Sequence, residues 1–388
     1  MGEQGLSQGR QKSGRRHKVG HQTMENTSNR KTAFKPMGRA VLIGSLPLTD
    51  HREAMELVLA STPEIPLWPQ LPANPREGML NQFVEGLPCV TEDGDHTYFN
   101  INSPDFEEAQ LRFYEEYLQV ADDPKALLAS RFQVSKERAA GLYQLAATVR
   151  DRQGFSAVKG QITGPFTLLA GLKDQDGRLG YYDPTIRDMA VKHIAMKAAW
   201  QVRFLREATS LPMLLFIDEP ALAGLGSSAF ISITKDDIAA DLSEVVAAVH
   251  LAGGLAGVHV CANTDWGLLL GQEIDIISFD AYNFFDRFIT CKNEIRSFLD
   301  RGGIIAWGII PTSEEEHISR ETPDTLVSRW EQQAAMLADP PWDTAALLGR
   351  TLITPSCGTG SLSMPLARRV LQLTRDVSMA LREEYRSD

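Results

Sequence analysis

The chain has 388 residues, of which 43% are hydrophobic and 23% charged, the mix of an ordinary soluble globular protein rather than a disordered one. With 39 Lys and Arg against 50 Asp and Glu, the formal net charge is −11, which argues against nucleic acid as a partner. No stretch approaches the ~18 uncharged apolar residues of a membrane helix, and Cys89, Cys261, Cys291 and Cys357 are too few for a disulfide framework.

Residues 1–36 differ from the rest: they hold eight Lys and Arg against two Glu, with few apolar residues and no period. Such a segment cannot bury a core, and it has no apolar run of the kind a secretory signal needs. We expect a disordered basic tail over 1–36, a single domain over 37–388, and a reducing, cytoplasmic setting that keeps the thiols free.

From residue 40 onward, short β-branched and apolar runs alternate with long helical patterns. The predicted strands are 40–44, 156–160, 213–218, 256–260, 274–280, 303–310 and 351–355, with 65–70 as a weaker eighth. Most are continuous apolar runs, as expected of parallel strands covered on both faces. Ser103-Pro104 predicts a helix start as cap and first-turn proline, followed by a stripe of Phe106, Ala109, Phe113 and Tyr117. A long helix is predicted over 184–208, and a last one carries Leu366, Val370, Leu373, Val377 and Leu381 at helical spacing. Eight strands alternating with helices predict an α/β fold, a (β/α)8 TIM barrel, with a helical insertion over 74–150. A doubly wound open sheet is the rival, but the chain has neither a glycine-rich dinucleotide fingerprint nor a P-loop.

The unusual residues fall at the ends of the predicted strands. They are Gly44-Ser45, Trp68-Pro69-Gln70, Lys159-Gly160-Gln161, Asp218-Glu219, His259-Val260-Cys261, Asp280, Trp307-Gly308 and Cys357-Gly358. In a parallel barrel, strand carboxyl ends share one mouth, where active sites sit. His259 and Cys261 are two residues apart, which places both side chains on one face of a strand. Imidazole nitrogen and thiolate sulfur are preferred zinc donors; Asp280 ends the next predicted strand after His259 and Cys357 the last one, and barrel closure would bring all four to one mouth. Ordinary turn chemistry, small buried cysteines and a satisfied core histidine fit the same residues. Of the adjacent acids Asp218 and Glu219, only one can face the mouth; we assign Asp218 to it and Glu219 to the wall.

The ordered set Ile43-Gly44-Ser45, Thr163-Gly164-Pro165, Ile217-Asp218-Glu219-Pro220-Ala221-Leu222, His259-Val260-Cys261, Asp275 to Asp280 and Ser356-Cys357-Gly358 resembles the superfamily of cobalamin-independent methionine synthase and uroporphyrinogen decarboxylase. The resemblance spans about residues 40–360. It implies a barrel that binds zinc and methylates a thiol, with His259, Cys261 and Cys357 as metal ligands and Asp280 standing where methionine synthases carry a glutamate ligand. It also implies that Ser45 contacts the carboxylate of homocysteine and that Asp218, the catalytic candidate, contacts its amino group. A full cobalamin-independent methionine synthase is similar to two such barrels, and this chain is long enough for one.

Two departures bear on the methyl donor. Ala223 and Gly224 follow Leu222 where those enzymes continue with Arg and an acid that helps hold the folate. Ile309-Ile310-Pro311-Thr312 follows Trp307-Gly308 where they carry an Asp-Ile-His segment. The run His-Val-Cys-Ala-Asn-Thr-Asp looks more like corrinoid-dependent methyltransferases. The expected partners are therefore homocysteine or a similar small thiol and a methylcorrinoid, free or on a corrinoid protein, rather than methyltetrahydrofolate. Transfer to another thiol such as coenzyme M, a decarboxylase of the same fold and a non-catalytic zinc- or corrinoid-binding carrier are the alternatives.

Overall fold

In the computed structural model of the chain, the described residues are 34–93 and 96–386. Most of the tail expected over 1–36 lies outside them; Phe34, within that span, is buried.

The strands, in chain order, are β1 (Arg39–Ala40), β2 (Val90–Asp93), β3 (His96–Phe99), β4 (Val158–Thr163), β5 (Lys173–Asp174), β6 (Met213–Asp218), β7 (Leu255–Val260), β8 (Ile276–Phe279), β9 (Ile304–Ile310) and β10 (Thr351–Pro355). Seven of them form one parallel sheet in the order β1-β10-β9-β8-β7-β6-β4. Long helices, among them Pro184–Arg206, Lys235–Ala252 and Met364–Glu384, connect the strands and cover the sheet's outer face. No helix of the described residues is long and apolar enough to cross a membrane.

The predicted eighth strand is not a strand. Residues 65–70 bridge the two edges of the curled sheet through single parallel contacts, Leu67 with Lys159 and Gln70 with Ser45. Pro66 and Pro69 are the reason, since a proline has no N–H to donate to a ladder. The remaining backbone groups are still used: Lys159 N donates to Pro66 O at 3.0 Å and Gln70 N to Gly44 O at 3.1 Å. The ladder thus describes a seven-stranded curled sheet rather than a closed eight-stranded barrel.

The insertion over 74–150 is also not purely helical. It contains the antiparallel hairpin β2–β3, extended by β5 into a second, three-stranded sheet. Asp93-Gly94 between two short β-branched and aromatic runs was the available hairpin signal. The helix predicted from Ser103 begins later, as Phe106–Asp122, because Ser103 O accepts from Phe106 N in a preceding turn.

Side chains that alternate along a strand divide the sheet's two faces. Inside the curl, Val41, Ile65, Ala157, Leu214, Phe216, Leu255, Ile276, Ile304, Ala306 and Leu352 pack with Phe34 into one apolar plug. Four of these inward rows turn polar towards their carboxyl ends. Leu214 and Phe216 lead to Asp218, Leu255 leads to His259, Ile276 leads to Ser278 and Asp280, and Ala157 leads to Lys159 and Gln161. The apolar plug closes the bottom, and the polar ends collect at the opposite mouth.

Glu219, the neighbour of Asp218, builds the wall. Its carboxylate accepts from Phe166 N at 3.0 Å and from Thr167 N and Oγ1 at 2.8 and 2.6 Å, so it caps the start of the helix Pro165–Gly171. Gly164 makes room for it: a Cβ there would lie 2.1 Å from Glu219 Oε1. Gly164→Ala is expected to destabilise the protein by about 1–3 kcal/mol, as overpacking does. Urea unfolding measures this, and an unchanged midpoint would show that the Gly164–Glu219 approach is not a packing constraint.

Candidate metal centre

His259 and Cys261 sit at the end of β7, and Cys357 lies just beyond β10. Their ligand atoms all fall within 4.8 Å of one another. Three donors of this kind, from two strand ends far apart in the chain, form an open set to which a fourth ligand can be added.

His259 is 3% exposed. Its Nδ1 lies 2.9 Å from Ser278 Oγ, while its Nε2 is buried with no hydrogen-bond partner. An unsatisfied buried ring nitrogen costs free energy unless something binds it, so the orphaned Nε2 fits a metal. The two sulfurs lie close enough to act on each other's ionisation. This holds the Cys261 thiol well below its usual range and pushes that of Cys357 up. One thiolate is therefore already favoured in the bare site, and a thiolate is the form that binds metal.

The three ligands open into a cavity of about 250 Å³ that Ser45, Asp218 and Glu77 also line. Asp218 is 7% exposed, and its Oδ1 has no partner. Burial pushes its carboxyl up to about 6, against the opposing pull of His259 and Lys159. Lys159, fully buried on β4, donates to Ile43 O and to Gln161 Oε1 at 3.2 Å and lies 4.5 Å from the Phe216 ring centre. Burial lowers its ammonium to about 8. Ser45 Oγ accepts from Gly360 N at 3.2 Å, which leaves its own O–H free to donate. A Cβ on Gly358 would lie 2.1 Å from that oxygen, so the chain passes Ser45 only as glycine.

Asp280 does not join the cluster. It is buried nearby, but its carboxylate caps the helix Ala281–Phe288, accepting from Asn283 N at 2.9 Å and Asn283 Nδ2 at 2.8 Å. Burial raises its carboxyl, and the Cys261 charge adds to that rise.

The sequence reading did not single out Glu77. It sits in a short 3-10 turn, Pro75–Glu77, where it accepts from Leu71 N at 3.0 Å and pairs with His51 Nε2 at 2.8 Å. That proline-rich stretch has no periodicity to mark a buried carboxylate. The cavity lining contains no Lys or Arg among the described residues.

No protein-family profile matches the chain, and no curated protein matches it in sequence. Solved structures do. The chain is similar to a candidate vitamin-B12-independent methionine synthase from Listeria monocytogenes, at 12% identity and a TM-score of 0.51 over 90% of this chain and 98% of that one. It is similar to a methyltransferase from Methanosarcina mazei, at 14% identity and a TM-score of 0.50 over 93% and 99%. A B12-independent methionine synthase from Shewanella sp. W3-18-1, solved with selenomethionine, matches at 17% identity and a TM-score of 0.45 over 62% of this chain and 66% of its own. This chain therefore spans less than two thirds of the Shewanella enzyme. The first two likenesses establish the architecture.

Metal analysis tests the centre. Wild-type protein is expected to hold close to one zinc per chain, and Cys261→Ser and Cys357→Ser to lose it. Retention of zinc by both variants would refute this ligand set.

Proposed function

We propose that the chain is a zinc-dependent S-methyltransferase that methylates the thiol of homocysteine, with a methylcorrinoid as methyl donor. The observation that carries this reading is the His259, Cys261 and Cys357 cluster opening into the same small cavity as Ser45 and Asp218. The names of the Listeria and Methanosarcina neighbours, a candidate methionine synthase and a methyltransferase, support it.

His259, Cys261 and Cys357 hold the zinc in this reading. When bound, zinc supplies a Lewis acid that turns a coordinating thiol into a thiolate, the nucleophilic form. The rest of the site orients the acceptor. Asp218 offers its unpartnered buried oxygen to the ammonium group, and Ser45 donates its free O–H to the carboxylate. A cavity of about 250 Å³ suits a small amino-acid thiol. Asp280 lies beside Cys261 with its carboxylate engaged by Asn283.

The reaction forms a sulfur–carbon bond and breaks a carbon–cobalt bond, whose electron pair stays on cobalt. Such a leaving group needs no acid, whereas methylfolate departs as an amide-like anion and does. The loop after β9 is in keeping with the first case. It runs Pro311-Thr312, and the Thr312 hydroxyl is spent on Ser356 Oγ at 2.8 Å. His317 lies further along, its ring packed against Tyr282 at 5.5 Å. A sulfonate thiol such as coenzyme M, or a poly-acid substrate for decarboxylation, would need cations in the lining, which holds Asp218 and Glu77 instead.

Homocysteine offered with methylcobalamin is expected to yield methionine by mass spectrometry, and methyltetrahydrofolate to yield none. Methionine from folate alone would overturn the donor assignment, and none from either would overturn the acceptor. Asp218→Asn is expected to raise KM for homocysteine about 10- to 100-fold, the effect of losing a hydrogen bond to a charged group, at unchanged zinc content. An unchanged KM would remove Asp218 from the ammonium site.

A further inference from the structure

The register of the sheet places Asp218, His259 and Ser278 side by side on β6, β7 and β8. All three belong to inward rows, and His259 stands between the other two. Either neighbour could partner its ring. A carboxylate is a common partner of a metal-binding histidine, and Asp218 is buried with an unpaired oxygen. Yet Nδ1 is paired with the Ser278 hydroxyl at 2.9 Å, both side chains being buried.

With the proton on Nδ1, this pairing has three physical consequences. A ring nitrogen engaged as an N–H donor fixes the tautomer, so the lone pair lies on the other nitrogen. In His259 the other nitrogen is the buried, unpartnered Nε2. A neutral hydroxyl adds no charge, so the charge of the centre is left to the two cysteines. Asp218 also stays unspent and available to an incoming cation.

We infer that Ser278 is a positioning residue: its hydroxyl accepts from His259 Nδ1–H, which presents Nε2 to Cys261 and Cys357 and spares Asp218 for the substrate. The inference rests on the metal-site reading above, but its first readout needs no metal. Neither Ser278 nor its strand neighbours touch solvent, so the hydroxyl has no bulk water to serve. Removing it leaves Nδ1–H unpaired in a buried setting and makes the other tautomer, with the proton on Nε2, competitive.

The test compares wild type with Ser278→Ala and Ser278→Thr, each labelled with 15N-histidine. The His259 signals are identified by their loss in His259→Gln. In metal-free wild type, long-range 15N–1H spectra above pH 8 are expected to show the Nδ1–H form of His259. Ser278→Ala is expected to lose that preference and to bind zinc about 10- to 100-fold more weakly in chelator competition, the usual effect of removing an outer partner of a metal ligand. Ser278→Thr, which keeps the hydroxyl, is expected to behave as wild type. If Ser278→Ala keeps the wild-type tautomer, or the wild-type zinc affinity, the inference is overturned. A wild type that binds no zinc sinks the metal reading alone, and the metal-free tautomer still decides the role of Ser278.

Discussion

Parallel strand pairing is the constraint from which the site follows. Because β4, β6, β7, β8, β9 and β10 all run the same way in one sheet, their carboxyl ends emerge at one mouth. Side-chain alternation then decides what each strand delivers there. A row such as Leu214, Phe216 and Asp218 puts two apolar groups into the plug and one carboxylate at the rim. The same ladder that buries the apolar half therefore lifts the polar half towards the cavity.

Burying so many polar groups is costly unless each has a partner, and the structure shows which have one. Glu219 holds a helix start, Asp280 caps another, Glu77 holds a turn, and Lys159 reaches Ile43 O across the gap between β4 and β1. Among the buried side-chain atoms without a partner, His259 Nε2 and Asp218 Oδ1 border one cavity. Their convergence with two sulfurs on one cavity is what marks the binding site.

The gap between β1 and β4 also matters to the site. Residues 65–70 span it with single bridges, and the second of these, between Gln70 and Ser45, is at the mouth. Ser45 is held further by the loop after β10, through Gly360 N and Thr359 N. The proposed carboxylate contact is thus fixed by the point where first strand, bridging segment and last strand meet, which gives it a firmer seat than a free loop would.

Much of this was legible in the sequence by itself. Apolar runs of five to eight residues between helical patterns marked the parallel strands, and the two-residue spacing of His259 and Cys261 pointed both to one side of the chain at the end of one strand. The adjacency of Asp218 and Glu219 allowed only one to face inward. Those properties are local, set by a period of two along the backbone. Others required the tertiary structure. Whether Cys357 meets Cys261 depends on how the sheet curls, and whether Asp280 joins them depends on competition from Asn283, one turn ahead in the next helix. Pro66 and Pro69 turned an expected strand into a bridge, and Glu77 entered the cavity wall from a turn with no periodic signature. Convergence and competition for a partner are long-range outcomes, decided by chain closure rather than by any window of sequence.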